Sequence, residues 1–441
     1  MQIFLSRAGI LIFLFFFAFF VTSLIENEKR AALISLLAGL MIPVSFLIPF
    51  FSNLVYPGWL SIALTGLIIL PFLLILIPVK YVSDDAQTVS SRRIDERDTI
   101  LSRRTLKPGT VSFKEYYQRN PDKKETDDKF RKKPGLLKAG SKYYDPVLFA
   151  AAESLFEKVE MLHPRVDGDV EKKKTKVDPV KMSEKLRNML LGWGAHSAGI
   201  TELKDYHIYS FGGRGDRYGQ PYQRNHKYAI ALTVEMNHSM MKSAPVAPTV
   251  LESASQYLNS GTMAVQLAEF IRALGYPARA HIDANYKVIC PLVARDAGLG
   301  EIGRMGLLIT PALGPRVRIA VVTTDLPVIP SKHIPDSTVN DFCRRCRKCA
   351  DACPVQAIPY GYEKVIDGIR RWQISAESCY TFWCIAGTDC GNCVIACPYS
   401  HPDYWIHQFV RFGIKNSRIF RRFAIKMNDL FYGRREGRGV Q

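Results

Sequence analysis

"CRRCRKCADACP", residues 343–354, sets Cys343, Cys346, Cys349 and Cys353 at spacings of two, two and three intervening residues and ends on Pro354. A second run, "CGNCVIACP" at 390–398, supplies Cys390, Cys393 and Cys397 ahead of Pro398, with Cys379 and Cys384 upstream. Nine of the ten cysteines fall between 343 and 397, leaving only Cys290, in "KVICPL", outside. Thiols crowded into one short segment of a long chain read as metal ligands, because disulfide frameworks belong to small secreted domains. Cys290 reads as an ordinary core cysteine.

Short loops let three sulfurs converge on one face of an iron-sulfur cubane, and the proline then redirects the chain. Structural zinc takes two C-x2-C pairs separated by a longer loop, which is not this pattern. In a bacterial two-cluster run the first three thiolates hold one cubane and the fourth reaches to the other. Cys343, Cys346, Cys349 and Cys397 are then expected to hold one [4Fe-4S] cluster. Cys353, Cys390, Cys393 and either Cys379 or Cys384 hold the second.

The chain has 441 residues, of which 47% are apolar, so it can bury real cores and is not a disordered protein. Its formal net charge of +18 points to an anionic partner: lipid headgroups, an acidic redox protein or nucleic acid. The basic residues concentrate in a tether and a tail without a recognisable reading module, so nucleic acid is not the expected partner.

Three uncharged apolar runs open the chain, about 8–25, 31–52 and 57–79, each long enough to cross roughly 30 Å of hydrocarbon as a helix. The turn after the first holds Lys29 and Arg30, the loop "NLVYPG" holds no charge, and Lys80, Arg92, Arg93, Arg97, Arg103, Arg104 and Lys107 follow the third. The positive-inside rule predicts a multi-pass protein of the cell membrane with everything beyond residue 80 in the cytoplasm. Residues 1–82 are thus read as three transmembrane helices and the highly charged 83–140 as a linker lying near anionic lipid. No histidine stands in the three runs to ligate haem.

Beyond residue 141 the texture is globular. "YAIALTVEM" at 228–236 and "VRIAVVTTDL" at 317–326 read as buried strands. "SASQYLNSGTMAVQLAEFIRALGY" reads as one helix, with Ser253 and Gln256 as a capping pair and Gly275 as its stop. Strands alternating with helices predict an α/β (α+β) domain. The tail from Tyr399 mixes aromatics with arginines, as in a helix that packs its aromatics on a core or lies on a membrane surface.

"EMNHSMMKSAP", "SASQYLNSGTMAVQLAEFIRALGYPARAH", "PLVARDAGLGEIGRMGLLITPALGPRVRIAVVTTDLP", "DFCRRCRKCADACPVQAI", "GTDCGNCVIACPYS" and "NDLFYG" occur in that order. Over roughly 145–435 the chain closely resembles the corrinoid and iron-sulfur reductive dehalogenase family, a relative of epoxyqueuosine reductase. The resemblance implies a nitroreductase-like corrinoid-binding core at 141–335, a two-cluster ferredoxin-like domain at 336–400 and a basic extension at 401–441. It implies a cobalamin bound base-off without a protein cobalt ligand, so Asp205 and His207 in "DYHIYS" are not expected to hold cobalt. It selects Cys379 over Cys384 as the remaining ligand. It also implies a small organohalide substrate, and an external low-potential donor (ferredoxin, flavodoxin or quinol-linked) feeding the clusters.

By order and spacing the proton donor in this resemblance is Tyr257, with Arg316 as the cation that favours its phenolate and Arg318 and Arg304 as rivals. Asp283 lines the same pocket, and Gly298, Gly300, Gly303 and Gly306 allow close backbone approach to the corrinoid. Many respiratory members are exported and tethered by a separate three-span protein, whereas this chain resembles a fusion of anchor and enzyme. Two other readings use the same clusters: reduction of an epoxide or other electrophile by the same cofactors, and a membrane-bound electron carrier without corrinoid.

Overall fold

Residues 228–235 and 317–324, the stretches richest in apolar and β-branched side chains, pair with each other in the computed structural model. The structure describes residues 2–51, 63, 66, 67, 70, 93–332, 335–366, 369–435 and 437. In chain order α1 (Gln2–Ile25), α2 (Lys29–Phe51), α3 (Val111–Arg119), α4 (Pro121–Arg131), α5 (Pro146–Met161) and α6 (Pro179–Gly192) come first. Then follow β1 (Ser197–Glu202), β2 (Tyr228–Glu235), α7 (Ala247–Ala273), β3 (Ala278–His281), α8 (Cys290–Asp296), β4 (Glu301–Ile302), β5 (Leu308–Ile309) and β6 (Val317–Thr324). The chain ends with α9 (Ser337–Cys346), the paired strands β7 (Lys364–Ile366) and β8 (Ile369–Arg371), α10 (Ala376–Ala386), α11 (Trp405–Asn416) and α12 (Arg418–Tyr432). Two units emerge: 1–83 with 337–346 and 401–435, and 84–336 with 347–400 and 436–441.

In the second unit a four-stranded sheet runs β1-β2-β6-β3. Every pairing is antiparallel, with Ile230 opposite both Ile200 and Val322, so the fold is α+β rather than a parallel α/β sheet. Side chains alternate across a strand. Ile230, Leu232 and Val322 therefore pack with α7 residues Leu267, Ala268 and Ile271 and α6 residues Leu186 and Leu190. Ala229, Ala231 and Val321 pack on the other face with Val293 and Ala294 of α8. Both faces are covered, which is why these strands read as unbroken apolar runs. Each large buried side chain contributes about 1.5–3 kcal/mol.

The helix expected to start at Ser253 begins at Ala247, with a proline in its first turn, and Ser253 is buried inside it. Its stop is at the expected place: Gly275 has φ +84°, and a Cβ there would lie 2.7 Å from the Lys173 carbonyl oxygen.

The linker expectation for 83–140 needs correction over the described part. Thr110 caps α3, and Tyr116, Tyr117 and Phe130 are buried. Arg103 is 1% exposed and Asp127 0%, with 3.3 Å between Nη1 and a carboxylate oxygen; Arg103 also reaches Glu377 at 2.7 Å. Folding there relies on buried charge pairs and tyrosines, which leave no aliphatic period to read.

In the first unit α1 and α2 pack against each other, and a Cβ on Gly39 would lie 2.9 Å from the Phe16 Cβ. Their outward faces expose Leu11, Leu14, Phe17, Leu33, Leu37 and Met41. Among the described residues one stretch, Arg7–Ile25, is long and apolar enough to cross a membrane. The expectation of three spans is reduced accordingly: α2 is a helix opening on Lys29 and Arg30, and the third run lies outside the described residues apart from 63, 66, 67 and 70. The C-terminal helices pack on this pair through Phe19 and Phe431, ring centroids 4.9 Å apart, and through Arg30 Nε donating to the Leu430 carbonyl at 2.9 Å. Arg421 of α12 is fully buried, 3.4 Å from Asp341 of α9.

Candidate active site

Tyr257 sits on α7 and Arg318 on β6, where Arg318 pairs with Val234. The Arg318 guanidinium carbon lies 4.7 Å from the Tyr257 ring centroid. Its Nη2 donates to Ser253 Oγ at 2.6 Å and to Asp389 Oδ2 at 2.8 Å, and Ser253 Oγ donates to the same carboxylate oxygen at 2.5 Å. A charged residue on a strand this apolar needs such partners to be tolerated.

On the opposite side Asp283 follows β3 in a turn whose carbonyl bonds His163 Nε2 at 2.9 Å. Arg214 donates to the Tyr286 hydroxyl at 2.6 Å and lies 3.4 Å from Glu96. Tyr257, Tyr286, Arg318 and Asp389 are each partly buried and keep part of their surface accessible. Arg318 Nε and Asp389 Oδ1 are buried without hydrogen-bond partners among the described residues. Unpaired buried polar atoms are costly, so they suit a ligand that brings its own donors and acceptors.

The Arg318 charge acts to lower the Tyr257 pKa, but burial and the neighbouring Asp283, Asp389 and Tyr286 outweigh it. The phenol therefore titrates above its ordinary value and stays protonated at neutral pH. Burial opposes the Arg318 charge, but Tyr257, Asp389 and Asp283 restore it and carry its pKa above the usual value. Burial pushes the Cys290 thiol up to about 12, the behaviour of an inert core thiol.

The cation beside Tyr257 is Arg318, which corrects the expectation of Arg316. Arg316 is fully buried and committed elsewhere: Nε donates to the Ser400 carbonyl at 2.9 Å, and Nη1 to Glu235 at 2.6 Å and to the Met236 carbonyl. Arg304 bonds the Pro359 and Gly361 carbonyls at 2.6 and 2.7 Å and covers the Trp372 ring. The four glycines also find their explanation within the chain. Gly298 follows α8 with φ +81°, a Cβ on Gly300 would meet the Ile309 carbonyl oxygen at 2.3 Å, and Gly303 and Gly306 close the turn between β4 and β5. His207 accepts from the Lys204 amide on Nδ1 at 3.1 Å and meets Asp296 with Nε2 at 3.0 Å, so it is a fully buried strut, as its imperfect motif implied.

The second cysteine set assembles inside one unit. Cys393 feels Cys379, Cys390, Cys349 and Cys353 electrostatically, and Cys379 feels Cys353. Cys384 has no thiol among its influences and packs with Phe130 and Tyr380. Cys379, not Cys384, therefore joins the group. Burial first, then neighbouring thiols, push Cys390 up to about 12 and Cys379 to about 11. Buried thiols gathered in this way become thiolates together only around a compensating cation. Among the described residues no three of these four sulfurs lie within 4.8 Å of one another. A single tetrahedral zinc would hold them about 3.8 Å apart, given its bond length of about 2.3 Å. The donor set suits a wider cluster, and the Ala357 amide already donates to Cys353 Sγ at 3.2 Å. Cys343 and Cys346 lie in the first unit, Cys349 and Cys397 in the second.

The reading of the sequence missed Ser253 as a ligand of Arg318 and missed Asp389, Arg214, Tyr286 and Glu96 altogether. Two signals were available: an arginine inside the apolar strand 317–324, and an acidic residue immediately before a ligand cysteine in "TDCGNC".

Residues 342–401 match the family model of the 4Fe-4S dicluster domain. Over 212 residues, 46% of this chain and 42% of the relative, it is 35% identical to tetrachloroethene reductive dehalogenase of Sulfurospirillum multivorans. A 90-residue stretch, 20% of the chain and 19% of the relative, is 31% identical to epoxyqueuosine reductase of Bacillus subtilis. A solved reductive dehalogenase, described as performing B12-dependent dehalogenation, shares the fold with a TM-score of 0.64 at 24% identity, over 82% of this chain and 50% of its own. The chain is similar in sequence to reductive dehalogenases over that stretch and shares the fold of the solved one, and the match spans less than half of the curated relative's length.

Proposed function

We propose that this protein is an oxidoreductase that removes halide reductively from a small organohalide, using cobalamin and two [4Fe-4S] clusters. The observation that carries the reading is the chain Tyr257, Arg318, Asp389, which joins a candidate proton donor to the loop bearing the cluster ligand Cys390. Cys343, Cys346, Cys349 and Cys397 are the ligands proposed for the other cluster. When bound, the clusters and the corrinoid supply two electrons and the cobalt at which the carbon-halogen bond breaks.

The chain's own residues handle the proton. Tyr257 keeps it at neutral pH and delivers it from Oη to the carbon that loses halide. Two electrons and one proton enter, halide leaves, and a carbon-hydrogen bond replaces the carbon-halogen bond. Arg318 steadies the phenolate left behind, while Asp389 and Ser253 fix Arg318 in place. Arg318 Nε, Asp389 Oδ1 and Asp283 line the wall that faces the cofactor and substrate.

The exposed apolar faces of α1 and α2 support seating in a lipid bilayer. We extend this to a three-span anchor with the catalytic part on the cytoplasmic side, supplied by a low-potential ferredoxin, flavodoxin or quinol-linked donor.

The test is anaerobic reconstitution with cobalamin, iron and sulfide, followed by halide measurement with chlorinated ethenes and bromophenols under a low-potential reductant. Halide release by the intact chain and its loss in Tyr257→Phe, by about 10²–10⁴-fold with metal content unchanged, is the expected result. Turnover of an epoxide without halide release favours the epoxide reductase reading. Iron without any corrinoid leaves an electron carrier.

A further inference from the structure

Outside the active site, the first unit gathers Glu26, from the turn after α1, with His401 and His407 from the C-terminal segment. One ligand atom from each of the three lies within 4.8 Å of the other two. His407 Nε2 meets Glu26 Oε1 at 2.7 Å, across 381 positions of sequence. The His401 and His407 rings lie nearly parallel, 7° apart in plane with centroids 4.6 Å apart, so their nitrogens face the same neighbourhood. Glu26 and His407 are buried. Tyr432 packs on His401 at 4.1 Å, and its hydroxyl is buried without a hydrogen-bond partner among the described residues.

We propose that Glu26, His401 and His407 bind a divalent transition metal, zinc above all. Two imidazoles and one carboxylate form a donor set suited to zinc, with a fourth position left for water. The same residues join the end of the first apolar helix to α11 and the loop before it. The ion therefore acts as a staple that holds the C-terminal helices on the membrane-facing pair, where the contacts Phe19–Phe431 and Arg30–Leu430 already meet. This site uses no residue of the proposed dehalogenase machinery, so it stands or falls separately from that reading.

The experiment equilibrates the full-length, cluster-loaded chain with zinc, removes the excess, and measures zinc per chain together with zinc-edge X-ray absorption. About one zinc per chain with nitrogen and oxygen ligation is expected. Glu26→Gln and His407→Ala each lose that zinc while iron content stays unchanged. Zinc bound through sulfur, zinc retained in Glu26→Gln, or no zinc in the intact chain overturns the proposal. Should His407→Ala fail to fold, Glu26→Gln decides, since it keeps the shape of the side chain and removes only the charge.

Discussion

Asp389 Oδ2 lies 2.8 Å from Arg318 Nη2, so the residue directly before Cys390, a proposed cluster ligand, holds the cation that faces Tyr257. Removing that cation by Arg318→Met withdraws the stabilisation of the phenolate and leaves Asp389 without its countercharge. The expected outcome is a fall in kcat of about 10²-fold with little change in KM. Arg316→Lys is expected to act through stability instead, because Arg316 braces backbone carbonyls. Equal kinetic losses in both variants would remove Arg318 from its assigned role.

Cys379→Ser is expected to halve the iron content of the reconstituted protein, from about eight atoms to about four. Cys384→Ser leaves it unchanged, since Cys384 packs among aromatics away from the other thiols. Iron analysis and low-temperature electron paramagnetic resonance of the reduced protein check both variants, and the reverse outcome exchanges the two cysteines.

The second unit carries a pH-dependent brace. Burial opposes the Glu377 charge, but Arg103 and Lys123 outweigh it and hold the carboxyl at about 2. A carboxyl depressed from an ordinary value near 4.5 stabilises the fold above pH 4.5 and loses that contribution as pH falls from 4.5 toward 2. Discounted for solvent screening at this partly exposed carboxyl, the contribution is about 2–3 kcal/mol. Glu377→Gln should therefore lower stability to denaturant at pH 6 and narrow the difference between pH 6 and pH 4. A variant whose stability falls with acid as steeply as the parent's contradicts this assignment.

Gly387 ends α10, the helix that carries Cys379, with φ +80°. A Cβ there would lie 2.1 Å from Ser141 Oγ. Gly387→Ala combines left-handed strain of about 1–2 kcal/mol with that clash, so a loss of at least about 2 kcal/mol is expected in denaturant titration. A change below about 0.5 kcal/mol shows that the helix end yields easily.

How much of this was legible in the sequence depends on which physical signal each part uses. The cysteine spacing is local, so proposed ligands could be named from it, and Cys353, Cys379, Cys390 and Cys393 lie close enough to influence one another. The strands at 228–235 and 317–324 announced themselves because both faces of the sheet are covered. The partner of Tyr257 was not legible, because Arg316 and Arg318 stand two apart and only the tertiary contacts of Arg316 with Ser400, Glu235 and Met236 take it out of contention. The folded state of 93–140 was hidden for a different reason. Arg103 and Glu377 meet only when positions 274 apart in the chain come together, and charge along a chain looks the same whether solvated or paired inside.

Because one short loop supplies both Cys390 and the counterion of Arg318, oxidative loss of the second cluster is expected to slacken the grip on the tyrosine's cation in the same event. On the proposed function, electron supply and proton supply would then fail together.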